Sequence, residues 1–344
     1  MLYSIFPELI AISFFLVLLA SFLIKNYSRI GLNIFLDKDF KKPQSFHKEA
    51  ILNIGGIIIF FYFLFSYFFF YKNIILKDLL LMLIPLFFFS VLEDLKFRIN
   101  PQLRLLLLFL IIFFIVFFFN LKIYSVQFYH LDILLNKNKI FAILFITFSI
   151  VFIINGSNFI DGFNGLLVIH AIIIVSFLVP IYFIYNQKDL LEVSILFINS
   201  LLVFFFFNFP KARIFLGNSG SYLIGFIISF LVIKASEVTY YHKIYPFYFA
   251  ILLYFLFFEV FFSFFRKMIF EEKNPLLPDK KHLHMLLYYN LKSNYKTSIL
   301  LNIYFFISIL PILYLKNYPG LLKVYFVVVL FFYIIFYLKL LKKK

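Results

Sequence analysis

Long apolar runs interrupted by short polar clusters set the pattern of this chain. A helix needs about 20 mostly apolar residues to cross the hydrocarbon core of a bilayer. Eleven runs meet that rule, near 4–24, 51–71, 78–92, 103–119, 139–155, 166–185, 190–207, 220–235, 244–265, 297–315 and 321–340. The third and eighth are short. The pattern predicts an all-α, polytopic integral membrane protein. Residues 1–344 form one transmembrane domain, because no Gly/Ser or Pro-rich linker, long polar insert or internal repeat marks a second unit.

The polar clusters Leu36–Lys48, Glu93–Pro101, Asn155–Gly165, Asn208–Ser221, Arg266–Lys296 and Lys339–Lys344 alternate with the spans so that all fall on one face. With the N-terminus outside and the C-terminus cytoplasmic, 22 of the 32 Lys and Arg residues lie on that face. This is the asymmetry expected of cytoplasmic loops. Loops near 25–50, 93–102, 155–165, 208–221 and 266–296 are therefore the expected active face of a multi-pass protein of the cytoplasmic (inner) membrane.

Composition narrows the picture further. With 64% apolar and 24% aromatic residues, the chain is far from a soluble domain. The 58 Phe with no Trp, and the preference for Lys over Arg, reflect an AT-rich genome as much as a physical demand. The Phe runs are accordingly not read as binding platforms. A net charge of +16 is accounted for by membrane orientation, and no nucleic-acid partner is inferred. The absence of Cys excludes disulfides, thiolate catalysis and Cys-ligated zinc. The early Glu8 and the lack of a basic n-region predict no cleavable signal peptide. A transporter would carry ionisable residues near mid-span, whereas the acids here are read as lying at span ends on one side.

Four clusters carry candidate chemistry. Glu93-Asp94 is either a charged cap ending a span or a carboxylate pair able to meet magnesium or a phosphate. The segment Asn155-Gly-Ser-Asn158-Phe-Ile-Asp161-Gly162-Phe-Asn164-Gly165 is rich in oxygen donors and free of Lys and Arg, as a hard divalent cation requires; a simple Asn/Gly turn is the alternative. Phe215-Leu-Gly217-Asn218-Ser219-Gly220-Ser221 opens a span, where backbone N–H groups could face a phosphate; a Gly/Ser packing face is the plainer reading. Asp279-Lys280-Lys281-His282-Leu-His284 places two histidines at i, i+2, off any shared helical face, in a basic turn.

In this order, the clusters resemble the polyprenyl-phosphate N-acetylhexosamine-1-phosphate transferases, from about Gly31 to about Asn290. Phe46-His47-Lys48 with Gly55-Gly56 is similar to that family's first cytoplasmic segment, and Glu93-Asp94 to its acidic pair. Asn155 to Leu166 resembles Asn-x-x-Asn-x-x-Asp-Gly-x-Asp/Asn-Gly-Leu, Phe215 to Ser221 its Gly-Asp-x-Gly-Ser segment, and Pro278-Asp279 with His282-x-His284 its Pro-Asp-x-x-His-x-His loop. Asn218 departs from the pattern, standing where the family keeps a magnesium-holding Asp.

The resemblance implies transfer of an N-acetylhexosamine-1-phosphate from a UDP-sugar (UDP-N-acetylhexosamine) to undecaprenyl phosphate, with release of UMP. Magnesium (Mg) is the implied cofactor, held with Asn158 and Asn218. Glu93 and Asp94 would orient the lipid phosphate or take its proton, and Asp161 would support the nucleotide site. His47, Lys48, Asn155, Asn164, Lys211, Arg213, Lys281, His282 and His284 are the remaining substrate-binding candidates. The lipid bilayer is the medium of one substrate, and a homodimer is compatible with the pattern. The phospho-MurNAc-pentapeptide translocase is the alternative within the class. A silent homologue that binds lipid or sugar nucleotide is the alternative outside it.

Overall fold

The computed structural model describes residues 2–37, 50–95, 100–240, 242, 244–272, 274 and 279–343. His47 and Lys48 lie outside them. The chain runs through α1 (Leu2–Asn26), β1 (Leu36–Asp37), β2 (Ile51–Asn53), α2 (Gly55–Phe69), α3 (Ile74–Asp94), α4 (Pro101–Phe119), α5 (Tyr129–Lys137), α6 (Lys139–Ile160), α7 (Leu166–Ile184) and α8 (Lys188–Asn208). It continues through β3 (Ile214–Phe215), α9 (Gly217–Thr239), α10 (Pro246–Phe265), α11 (Leu283–Leu291), α12 (Asn294–Ile309), α13 (Ile312–Leu315) and α14 (Pro319–Leu341). Among the described residues, ten helices are long and apolar enough to cross a membrane, and α2 is a shorter apolar helix of 15 residues.

The eleven expected spans are thus all helical, and the structure moves their ends. The third and eighth run over 21 and 23 residues. The fifth continues through Asn155 and Asn158 to Ile160. Local chemistry explains where several helices begin. Asn73, Asn100 and Asn138 each turn a side-chain oxygen onto a first-turn N–H, at 2.6, 3.1 and 3.0 Å. This satisfies donors that the helix itself leaves open. Within the spans, Ser66, Ser90, Ser194, Ser229 and Thr239 donate back to carbonyls one turn earlier, so their hydroxyls need no water.

Helix α9 is the centre of the bundle, buried along most of its length and packed by α2, α3, α6 and α7. Glycines permit the closest approaches. A Cβ at Gly225 would fall 2.8 Å from the Ile154 Cα, and one at Gly156 would strike the Leu256 carbonyl, so α6 fits tightly between α9 and α10. On the outside of the bundle, α1, α4 and α14 expose Phe14, Phe114, Phe118, Phe331 and Phe332, as lipid-facing helices do.

Two features are absent from the pattern of apolar runs. One is α5, a short helix next to a turn where the Asp132 carboxylate accepts from the Val126 N–H at 2.7 Å and the Ser125 hydroxyl at 2.8 Å. The other is a three-stranded ribbon in which β2 pairs antiparallel with β1 and parallel with β3, setting Leu52 beside Ile214 and Asn53 beside Phe215. With two or three residues per strand it leaves the all-α class unchanged. It ties the start of α2 to the start of α9.

Candidate active site

The β2–β3 pairing delivers Gly55 and Gly56 onto the first turn of α9. Gly56 donates its N–H to the Leu216 carbonyl at 3.0 Å, and a Cβ there would collide with the Gly220 nitrogen. Gly217 adopts φ +70, a left-handed conformation that favours glycine. A Cβ on it would lie 2.6 Å from Asp94 Oδ2. The reason is a bond between distant segments. Asp94, the last residue of α3, accepts the N–H of Asn218 at 2.7 Å and of Ser219 at 2.9 Å.

These bonds correct two expectations. Asp94 is a buried carboxylate with both oxygens engaged, rather than an open loop acid. The leading N–H groups of α9 are also not free for a phosphate, because Asp94 already fills the positive helix end. Its neighbour Glu93 is different. One oxygen accepts from the Tyr222 hydroxyl at 3.0 Å, and the other, Oε1, has no partner among the described residues.

The end of α6 meets the same turn. Ser221 donates to Asn158 Oδ1 at 3.2 Å while also approaching the Asn218 carbonyl, so Asn158 and Asn218 stand on facing helices. Asn155 donates to the Val151 carbonyl at 2.8 Å. Asp161, closing α6, is half-buried, and its carboxylate has no hydrogen-bond partner among the described residues. Burial raises its pKa to about 7, and the nearby charge of Asp94 adds to the effect.

Beyond Asp161 the chain turns at Gly165, φ +75, where Asn208 acts as a staple. Asn208 accepts the Gly165 N–H at 2.6 Å and donates to the Ile214 carbonyl at 2.9 Å. Asn164 donates to the Pro210 carbonyl at 2.9 Å. Lys211 and Arg213, on the same turn, are exposed.

The last loop folds inward. His282 caps α11 and is buried, with its Nδ1 2.8 Å from Glu259 Oε1 in α10. His284 is buried with neither ring nitrogen paired among the described residues, and a Cβ at Gly162 would lie 3.1 Å from its Nε2. Burial, and then His282 beside it, lower the His284 pKa to about 3. In this arrangement it offers a neutral N–H rather than a charge. The two rings, two residues apart and off any shared helical face, stack 9° from parallel with centroids 5.6 Å apart.

Burial alone would raise the Asp279 carboxyl. The hydrogen bond from Arg266, the His282 ring and the Lys281 N–H together hold it below its ordinary value. Lys281 reaches Glu271 at 3.0 Å. Glu259 lies well inside α10 and corrects the reading that acids occur only at span ends.

The structure therefore brings Glu93, Asp94, Asn158, Asp161, Asn218 and the His282–His284 loop into one neighbourhood. Three residues outside the sequence-derived set belong to it. Glu259 was detectable as an acid within an apolar run. Asn208 bounds a polar cluster, while Tyr222 leaves no mark in the sequence.

Among the described residues, no three His, Asp or Glu side chains form a metal cage. Magnesium keeps several waters and uses few protein ligands beside a phosphate. The unpartnered, half-buried Asp161 carboxylate and the Asn158 amide oxygen, on the same end of α6, are donors of the kind it takes.

Residues 76–236 match the sequence model of glycosyl transferase family 4, which covers α3 to α9 and most of this site. Over this stretch the chain is similar to that family. It is 34% identical to the undecaprenyl-phosphate alpha-N-acetylglucosaminyl 1-phosphate transferase of Thermotoga maritima, over 38% of each chain. Phospho-N-acetylmuramoyl-pentapeptide-transferases are also similar. That of Streptococcus mutans is 33% identical over 28% of this chain and 29% of its own. That of Streptococcus pneumoniae is 38% identical over 25% and 26%. The matches thus span well under half the length of these relatives.

Proposed function

We propose that this chain transfers an N-acetylhexosamine-1-phosphate from a UDP-sugar to undecaprenyl phosphate at the cytoplasmic face of the inner membrane, beginning a lipid-linked glycan. One observation carries the reading. Polar motifs far apart in sequence converge at the ends of apolar helices: Asp94 on Asn218 and Ser219, Ser221 on Asn158, and His284 on Gly162. A relative bearing the name of this activity supports it.

In the proposed step an oxygen of the lipid phosphate bonds to the sugar-linked phosphorus. The bond from that phosphorus to the bridging oxygen breaks, and UMP leaves with that oxygen. Such a transfer asks the protein mainly for positioning and charge neutralisation. Glu93, one oxygen of which is buried without a partner among the described residues, would orient the lipid phosphate or accept its proton. Asp94 acts indirectly, by fixing the turn that carries Asn218. Asn158, Asn218 and Asp161 would hold magnesium, whose charge would offset that of the diphosphate and the leaving group. Lys211 and Arg213, exposed on the turn after Asn208, would meet phosphate oxygens.

The test uses purified protein in detergent with undecaprenyl phosphate, magnesium and a panel of UDP-sugars that includes UDP-MurNAc-pentapeptide. UMP release with a UDP-N-acetylhexosamine is expected. Release with the pentapeptide substrate alone would assign the chain to the translocase branch, which the pneumococcal and S. mutans relatives keep in view. No release from any sugar would identify a silent binding homologue, the reading that Asn218 favours.

A further inference from the structure

Helix α5 lies at the end of the bundle opposite the candidate site, where it joins the far ends of α4 and α6. Its surroundings hold it firmly. Asn136 donates to the Tyr124 carbonyl at 2.8 Å, and Asp132, the one acid of residues 121–139, is turned onto Ser125 and Val126. Lys323, near the start of α14, donates to the Gln127 carbonyl at 2.9 Å. The same ammonium lies 5.4 and 5.7 Å from the ring centroids of Phe128 and Phe247, the latter in the first turn of α10. The Lys122 N–H reaches Glu237 of α9 at 3.3 Å, and Tyr124 packs on Tyr240. Helices α9, α10 and α14 thus fix α5 at one depth.

Its outer face is neither that of a soluble helix nor that of a span. Within α5 only Leu135 is buried, while His130, Leu134 and Lys137, at i, i+4 and i+7, form an exposed stripe. Tyr129 is 76% exposed, and so are Phe118 and Ile140 at the joined ends of α4 and α6 for the most part of their surface. Lys139 is exposed as well, its ammonium 5.5 Å from the Phe117 ring centroid. Aromatic and aliphatic side chains mixed with cations suit the zone between hydrocarbon and water. In a chain without Trp, the exposed Tyr240, Tyr314 and Tyr318, at the ends of α9, α13 and α14 on this side, mark the same level. The length of α6 agrees with it. Its 22 residues span about 33 Å, close to the thickness of the hydrocarbon core, so that its two ends reach the two interfaces.

We propose that α5 is an interfacial anchor: it seats on acidic phospholipid headgroups of the leaflet opposite the site, with Tyr129 and Leu134 dipping into the interface and Lys137 and Lys139 meeting the lipid phosphates. With the site cytoplasmic, as proposed above, this is the outer leaflet. The seat itself rests on neither that orientation nor the transferase reading.

The absence of native Trp makes the test direct. Tyr129→Trp is reconstituted in bilayers whose lipids carry bromine either near the headgroup or near the chain end, and Phe332→Trp, exposed within α14, serves as the mid-bilayer reference. Emission from residue 129 should be quenched more by the shallow bromine, and emission from residue 332 more by the deep one. Aqueous iodide should quench residue 129 weakly. In a second arm, replacing phosphatidylcholine by phosphatidylglycerol should raise the melting temperature of the wild type by several degrees. Most of that gain should be lost in the double variant Lys137→Gln, Lys139→Gln, which leaves the bonds around Asp132 and Lys323 in place. Strong iodide quenching at residue 129 with none by either bromolipid would overturn the proposal and leave this face to water or to a protein partner. A phosphatidylglycerol gain that is absent from the wild type, or undiminished in the double variant, would overturn it too.

Discussion

Asp94 accepts the backbone N–H of Asn218 at 2.7 Å, joining the last residue of α3 to the first turn of α9 across 124 positions of sequence. One carboxylate thereby caps a helix to which it does not belong. It also fixes the backbone turn from which the Asn218 side chain departs.

Removing that carboxylate strands the buried Ser219 N–H and the half-buried Asn218 N–H, and a buried polar group left unsatisfied costs about 1–3 kcal/mol. Asp94→Ala is therefore expected to lower the melting temperature in detergent by several degrees and to abolish UMP release. Glu93→Gln, which removes a carboxylate that accepts from one hydroxyl, should abolish release with little change in melting. Equal melting of Asp94→Ala and wild type would show that the cap is not formed in solution.

Gly217 offers a second, purely steric test. At φ +70, with a Cβ only 2.6 Å from Asp94 Oδ2, Gly217→Ala must move either the turn or the carboxylate. It should cost about 1–2 kcal/mol from the left-handed conformation alone. Measured unfolding should show a further loss from the displaced cap. A neutral effect on both melting and turnover would contradict this turn geometry.

Asp161 predicts a pH dependence whose sign follows from its raised pKa. A carboxyl shifted from 3.8 to about 7 by burial is harder to ionise folded than unfolded. Its ionisation costs no stability below the unfolded value, costs progressively more as pH rises, and reaches its full cost above the folded value. Asp161→Asn should therefore melt like wild type near pH 4 and above it near pH 8 in EDTA. Magnesium should narrow the difference at pH 8 if Asp161 is a ligand.

Asn218→Asp puts a hard anionic oxygen on the turn that Ser221 ties to Asn158, where magnesium is proposed to bind. It should lower the magnesium concentration for half-maximal UMP release, because ligand charge strengthens binding of hard cations. Without magnesium the added charge stands near Asp94, so the variant should melt below wild type in EDTA and recover with the ion. An active wild type and variant with equal magnesium requirements would remove residue 218 from the metal site.

The orientation drawn from charge asymmetry is testable on a chain that has no native Cys. Exposed Asn290→Cys should react with an impermeant thiol reagent only from the cytoplasm, and exposed Lys137→Cys and Lys188→Cys only from outside. Ser157, though polar, is fully buried in α6 and would report nothing. Labelling of residues 290 and 188 from the same side would refute the topology.

The sequence by itself determined the class and the eleven apolar helices, and it gathered the polar clusters at span ends. These follow from local rules: a bilayer demands apolar runs of a certain length, and polar clusters cannot stay within them unaided. It also singled out Glu93, Asp161 and Asn158, because polar residues at span ends stand out against an apolar background. It could not show that Asp94 caps α9, that Asn208 joins Gly165 to Ile214, or that Tyr222 holds Glu93. Each is a bond between segments at least several residues and mostly more than forty apart, made by a side chain whose direction depends on how the helices pack. The burial of His282 and His284 was likewise a tertiary decision. Nothing in a basic, turn-forming stretch indicates that α10 holds a carboxylate at the depth where that loop folds back. Which side chains are open to a substrate is set by which neighbours have already taken their hydrogen bonds, and only the packed bundle decides that.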